Sequence, residues 1–235
     1  GSLLNLIPTA ADDLELLWFV ARILGNFQHP AAVAALVNLL DSTPDPEITT
    51  MAAMALGNFG ETALPTLTQL LKRQSTRLIA LHALAQIQHP TVLPVLLESA
   101  ADDSAEVRAA AVSALSQFQT SQALDAFWTG LSDPSAVVRR TVVIALEART
   151  EQMIGQFGAV ALVDKLGPLL GDADLEVARQ AALALGRIGN ESAIAVLGSI
   201  LQNSASSDLQ LEVLRALAWT CLLYTSPSPR DVEES

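Results

Sequence analysis

The sequence predicts an all-α protein, a right-handed α-solenoid of about six helical pairs with a partial unit at each end. Three observations predict it. Hydrophobic residues make up 51% of the 235 positions but aromatic residues only 4%, so the apolar content is mostly Ala, Leu, Val and Ile. Ala and Leu are strong helix formers. One short motif recurs along the whole chain, and a second apolar pattern with helical spacing recurs between its copies.

The first motif reads "ARILGNF" from Ala21, "AMALGNF" from Ala53, "LHALAQI" from Leu81, "VSALSQF" from Val112, "VIALEAR" from Val143, "ALALGRI" from Ala182 and "LRALAWT" from Leu214. The shared leucines are Leu24, Leu56, Leu84, Leu115, Leu146, Leu185 and Leu217. Their spacing is roughly 30 residues, the period of helical-pair solenoids, with one longer step between Leu146 and Leu185. The second series runs "VAALVNLLD", "LPTLTQLLK", "LPVLLESAA", "LDAFWTGLS", "VDKLGPLLG" and "IAVLGSILQ". Its apolar slots share one helix face. Each unit is therefore an A helix followed by a B helix. The A–B turns ("GNFQHP", "GNFGET", "RIGNES") carry Gly, Asn, Pro and Ser, which end one helix and start the next. The B–A turns ("DSTPDPE", "ADDSAE", "GDADLE") place acidic residues at the positive end of the following A helix.

These residues resemble HEAT repeats of the short type named after phycobilisome lyase. The resemblance covers residues 3–220 and rests on the A-helix pattern seen best in "VRAAAVSALSQF" at Val107–Phe118. It weakens in "VRRTVVIALEAR", and "VARQAALALGRI" puts Ala178 where Arg stands. The chain opens mid-unit at "LLNLI" and its last A helix, Leu209–Thr220, has no B partner. Polar capping repeats normally close a solenoid. The expectation is a domain at residues 1–220 cut from a longer array. The segment "ARTEQMIGQFGA", Ala148–Ala159, is longer than its counterparts and reads as an enlarged A–B connection.

Residues 221–235 stand apart. "CLLYTSPSPRDVEES" holds the only Cys, Cys221, and the only Tyr, Tyr224. Its first eleven residues resemble the in-frame translation of a common short-read sequencing adapter, which implies a non-native tail of metagenomic origin. Cys221 is accordingly set aside as a redox, metal or nucleophile site.

The formal net charge of −12 opposes nucleic acid and anionic lipid, and no basic cluster offsets it. Polar residues interrupt every apolar run before it reaches membrane-spanning length, so no membrane insertion is expected. One cysteine permits no intramolecular disulfide, and the absence of a signal-type start completes the expectation of a cytoplasmic protein.

No P-loop, dinucleotide fingerprint or nucleophile elbow occurs, and no catalytic residue, metal or cofactor is expected. His29 and His89 precede Pro in equivalent turns, and HEAT-like deoxyhypusine hydroxylases hold iron with His-Glu pairs. Here the histidines are followed by Pro30, Ala83 and Pro90, so that motif is missing. Arg77, Arg108 and Arg139 share the slot seven residues before the repeat leucine. Asp102 and Asp133 lie six residues before their arginines, and Asp172 holds the same slot before Ala178. The family resemblance implies that these residues form a structural ladder of turn Asp to helix Arg, within and between units.

Phe27, Phe59 and Phe118 end their A-helix motifs and read as core. Trp128 differs: its slot holds Val37, Thr68, Leu97, Gly167 and Gly198 elsewhere. The resemblance implies that B helices line the concave face, where Trp128 is either an interaction hot spot or a space-filler beside Phe127 against a neighbouring helix. One position later, Asn38, Gln69, Glu98, Thr129 and Ser199 form a polar row, with Asp125 and Asp164 adding negative charge. The function expected is a non-catalytic protein-interaction scaffold whose concave B face takes a basic or polar protein partner. The family's namesake implies an alternative, an auxiliary subunit of a phycobilin lyase or isomerase, with bilin as its chromophore.

Overall fold

The computed structural model describes residues 13–27, 29–203 and 206–225, with the backbone alone for 221–225. Within them lie fourteen α-helices and no strand. The A helices are α1 (Leu14–Leu24), α3 (Pro46–Gly57), α5 (Arg77–Ala85), α7 (Ala105–Leu115), α9 (Ala136–Glu147), α12 (Leu175–Ile188) and α14 (Ser207–Thr225). The B helices are α2 (Pro30–Ser42), α4 (Leu64–Leu71), α6 (Leu93–Ser99), α8 (Ser121–Gly130), α11 (Ala159–Leu166) and α13 (Glu191–Asn203). One further helix, α10 (Thr150–Phe157), lies between α9 and α11. The expected connection at 148–159 is thus a helix of its own. It ends at Gly158, whose φ of 82° is a conformation that side chains resist.

The chain forms two compact units, residues 1–126 and 127–235. In the first, α1 packs on α3, α3 on α5 and α5 on α7, while α2 and α4 lie against α3 and α5. In the second, α9 packs on α12 and α12 on α14, with α11 and α13 alongside. All four of the largest repeat leucines in the first unit, Leu24, Leu56, Leu84 and Leu115, are buried, as are Leu146 and Leu185 in the second. Leu217 is half-buried.

Helix starts follow from the turn residues. The Asp13 carboxylate accepts from Leu16 N–H, Asp45 from Glu47 and Ile48, and Asp174 from Glu176 and Val177. Each satisfies donors that the first helical turn leaves open. His29 does the same work, its Nδ1 accepting from Ala31 N–H at 3.1 Å.

Consecutive A helices touch through one recurring contact. The residue after the repeat leucine faces the residue before the next one. A Cβ on Gly25 would stand 2.8 Å from the Ala55 Cβ, one on Gly57 2.9 Å from the Ala83 carbonyl oxygen, and one on Gly186 2.8 Å from the Ala216 Cβ. Only glycine opposite alanine lets the helices approach this closely. Phe59 follows this contact into the core, because a 3-10 turn at Gly60–Ala63 folds the chain inward directly after it. Phe27 does not: it is 50% exposed, although Ile87, in the same slot before an equally extended His89, is buried. Phe118 is half-buried. The core role expected of these three holds fully for Phe59 alone.

The segment 3–7 and residues 226–235 of the tail lie outside the described residues, and α14 continues through Thr225. No single helix among the described residues is long and apolar enough to cross a membrane. The pair Thr150–Phe157 and Ala159–Gly171 reaches that only in sum and is bent by 112°.

Leu115→Ala should lower unfolding free energy by about 2–5 kcal/mol in urea denaturation, the cost of a buried cavity. Gly186→Ala should destabilise by about 1–2 kcal/mol despite alanine's better helix propensity, because the methyl group overpacks the α12–α14 contact.

Candidate functional site: the B-helix face and an interrupted joint

The arginines of the A helices make a repeated geometry. Arg77 Nε donates to the Leu71 carbonyl at 3.1 Å, and Arg108 and Arg139 Nη1 donate to the carbonyls of Asp102 and Asp133 at 2.8 and 2.7 Å. Each arginine so closes the turn that leads into its own helix. Asp102, Asp133 and Asp172 shape those turns by accepting from the N–H two residues on, in each case at 2.8 Å.

Arg77 and Arg139 also reach forward into the next repeat. Arg77 Nη1 donates to both Asp102 oxygens at 3.1 Å. Arg139 grips Asp172 with Nε and Nη2, both at 2.7 Å, a two-point pair that fixes orientation as well as charge. The side chains of Arg139 and Asp172 are only 15% and 6% exposed. The Arg139 hydrogen bonds hold the Asp172 carboxyl below its ordinary range, overcoming burial, which pushes it up, and the Asp174 N–H adds to the lowering. The same bond raises Arg139.

On the B helices, Asn38, Gln69 and Glu98 are exposed in the first unit, with Asp125. Thr129, Ser199 and Asp164 are exposed in the second. Trp128 is half-buried there and lies against the neighbouring helix α10. Phe127 is wholly buried, whereas the Trp128 ring stands edge-on to Phe157 at 5.4 Å and 83°. Lys165 Nζ lies 6.0 Å from the ring centroid, within range of a cation–π attraction. Phe157 ends α10, so the extra helix is what props the tryptophan. Sequence reasoning passed over Phe157 and Lys165; the unusual length of 148–159 was the available signal.

A second feature of this unit follows from one substitution in the repeat. Glu147 occupies the slot that holds Gly25, Gly57, Ala85, Ser116, Gly186 and Ala218 elsewhere. Its side chain cannot enter a glycine–alanine contact, and its carboxylate instead accepts from Arg187 Nε at 2.9 Å. A groove of about 550 Å³ opens beside it, lined by Glu147, Arg149, Thr150, Gln152, Arg187 and Trp219. Arg149 donates to Gln152 Oε1 at 3.2 Å, and burial lowers its pKa.

His89 has an acidic neighbour from the preceding repeat: its Nδ1 meets the Glu61 carboxylate and Thr91, whose hydroxyl also donates to Glu61 at 3.1 Å. Among the described residues no group of three His, Cys, Asp or Glu side chains could hold a metal ion.

HEAT-repeat matches cover residues 2–79, 65–147 and 148–218, and the chain belongs to the HEAT-repeat family. Its fold is that of an all-α solenoid. Among solved structures it is similar to YibA of Escherichia coli, with 18% identity over 91% of this chain and 96% of that one, at a TM-score of 0.54. It is also similar to Kap95p, solved with RanGDP, with 17% identity over 80% of this chain and 29% of that one, again at 0.54. Similarity to the CpcE–CpcF complex of phycocyanin lyase from Nostoc sp. is 22% over 88% and 89%, at a TM-score of 0.43, too loose to argue from. At these identities the likenesses are of fold alone. No curated protein matches the chain.

Asp172→Asn should cost about 2–3 kcal/mol at pH 7, at the lower edge of what breaking a buried pair costs. Because the folded carboxyl titrates below its unfolded value, the pair's contribution is full above about pH 4 and is lost as pH falls through the lowered value. The stability difference between Asp172→Asn and the wild type, read in urea titrations, should therefore shrink toward pH 2.

Proposed function

We propose that this protein is a non-catalytic scaffold that binds a protein partner on its B-helix face, with Trp128 as the anchor of the second unit. The observation that carries the reading is the setting of Trp128. It is half-buried, braced edge-on by Phe157, and approached by Lys165, so its exposed edge is held in place before any partner arrives. A rigid aromatic that needs little further ordering is the kind of side chain that dominates binding energy.

The polar row supports the same reading. Asn38, Gln69, Glu98, Thr129 and Ser199 are exposed at one slot of successive B helices, where a helix of a simple core-forming repeat needs no common character. Acidic Asp125 and Asp164, on a chain of net charge −12, favour a partner with a basic or polar surface. HEAT-repeat membership is consistent with interaction as the general role.

Basic peptides selected on the purified chain provide the test. Trp128→Ala should weaken the best binder at least about 30-fold, the scale of a hot-spot loss, with thermal unfolding nearly unchanged. Phe157→Ala should weaken it less, by freeing the ring rather than removing it. Equal affinity for wild type and Trp128→Ala would refute the anchor.

A further inference from the structure

Every A helix carries two slots that face solvent in nearly every described repeat. Two residues after the repeat leucine, Asn26, Asn58, Gln86 and Gln117 are exposed, and so are Ala148, Arg187 and Trp219. Two residues before it, Arg22, Met54, His82, Ser113, Ile144 and Arg215 are exposed, and Leu183 is half-buried. The exposure of Arg215 and Trp219 therefore belongs to their slots and is shared with internal repeats. What changes along the chain is the chemistry. The first unit fills the later slot with Asn or Gln, and the second fills it with Ala, Arg and Trp.

Two ion pairs on this side are lopsided. The Arg187 side chain is 53% exposed, while its partner Glu147 is 15% exposed. Arg215 is 61% exposed over Glu212 at 9%, the two meeting at 3.0 Å. In both pairs the carboxylate lies beneath and the guanidinium faces solvent. A guanidinium carries five N–H donors, more than one such contact uses. The groove of about 550 Å³ beside Glu147 adjoins a second of about 320 Å³, lined by Leu183, Arg187, Glu212, Arg215 and Ala216. Glu147, Arg187 and Trp219 line both, so the two make one trough across α9, α12 and α14. An exposed carboxylate, Glu151, lines the first groove, so the cationic part of the trough is the stretch from Arg187 to Arg215.

We propose that this trough binds an acidic segment of a partner protein, with Arg187 and Arg215 taking its carboxylates and Trp219 an apolar side chain beside them. The occupant is anionic because the solvent side of both ion pairs is guanidinium, which meets a carboxylate at two points. It is a chain rather than an enclosed small molecule because Arg187, Arg215 and Trp219 each stand more than half exposed. Small-molecule sites bury most of their ligand. Tryptophan and arginine are also the side chains that dominate binding energy at protein interfaces. The trough lies on the A helices and takes the opposite charge from the surface around Trp128, so neither reading depends on the other.

Fluorescence anisotropy of a labelled peptide, EELEEFEELE, titrated with the full chain tests this. At about 50 mM salt, where charge contacts are weakly screened, the Kd should be about 100 µM or tighter. The same peptide with Gln in place of every Glu should bind at least about tenfold more weakly. Arg215→Gln should weaken the acidic peptide at least about fivefold while the fold holds, because Arg179 still contacts Glu212 at 3.6 Å. Trp219→Ala should weaken it by a similar factor. Trp128→Ala should bind it like the wild type, which separates this result from that of the B-helix surface. Thermal unfolding checks that the variants fold. Arg187→Lys is the further variant, since it keeps a charge over Glu147 but loses the two-point geometry. Equal affinity for the Glu and Gln peptides would overturn the proposal, as would wild-type affinity in both Arg215→Gln and Trp219→Ala. Absence of binding at about 1 mM chain would overturn it too. Displacement of the label by ATP at a lower concentration than by unlabelled peptide would assign the trough to nucleotides and overturn the protein partner.

Discussion

The stacking of consecutive A helices is the constraint on which the rest depends, and at three joints a glycine after one leucine lies against the alanine before the next. It fixes how near one repeat lies to its neighbour. The repeat leucines fall into the core between the stacked helices, and Arg77 spans to Asp102 and Arg139 to Asp172 at joints where Ala85 and Glu147 stand in place of the glycine. The arginine pairs thus tie neighbouring repeats together where the glycine contact is absent. Packing sets the distance, and the charge-assisted bonds select the orientation.

The second unit shows what happens where that rule lapses. Glu147 fills a slot held elsewhere by Gly, Ala or Ser, and the neighbouring helix answers with Arg187 in place of a close backbone contact. The same stretch carries the additional helix α10. Two departures from the repeat, adjacent in sequence, yield both the groove beside Arg149 and the brace behind Trp128. A regular array repeats its surface along with its core; individuality comes from the places where a core rule is broken.

Much of this fold was legible in the sequence because a periodic core leaves a periodic trace. The leucines, the amphipathic B helices and the acidic turn residues each announce themselves several times over. What escaped were features that occur once. Phe27 matches Phe59 in motif, yet it stands exposed on the first described A helix while Phe59 is buried. The pairing of His89 with Glu61 joins two repeats, and no pattern within either repeat reveals it. Phe157 meets Trp128 from the end of α10, whose eight residues, which include Gly155, carry too short an apolar pattern to declare it, and Lys165 reaches the same ring from α11.

The arginine pairs also bear on how the chain acquires its structure. Arg77 and Asp102 are 25 residues apart, and Arg139 and Asp172 are 33 apart, about the length of one repeat. Bonds of such modest span close small loops, so their entropic toll is low and folding need not wait for distant segments to find each other. A repeat leaving the ribosome can settle against the one made just before it. Order in such a chain accrues in the direction of synthesis, and the early repeats serve as the template for the later ones.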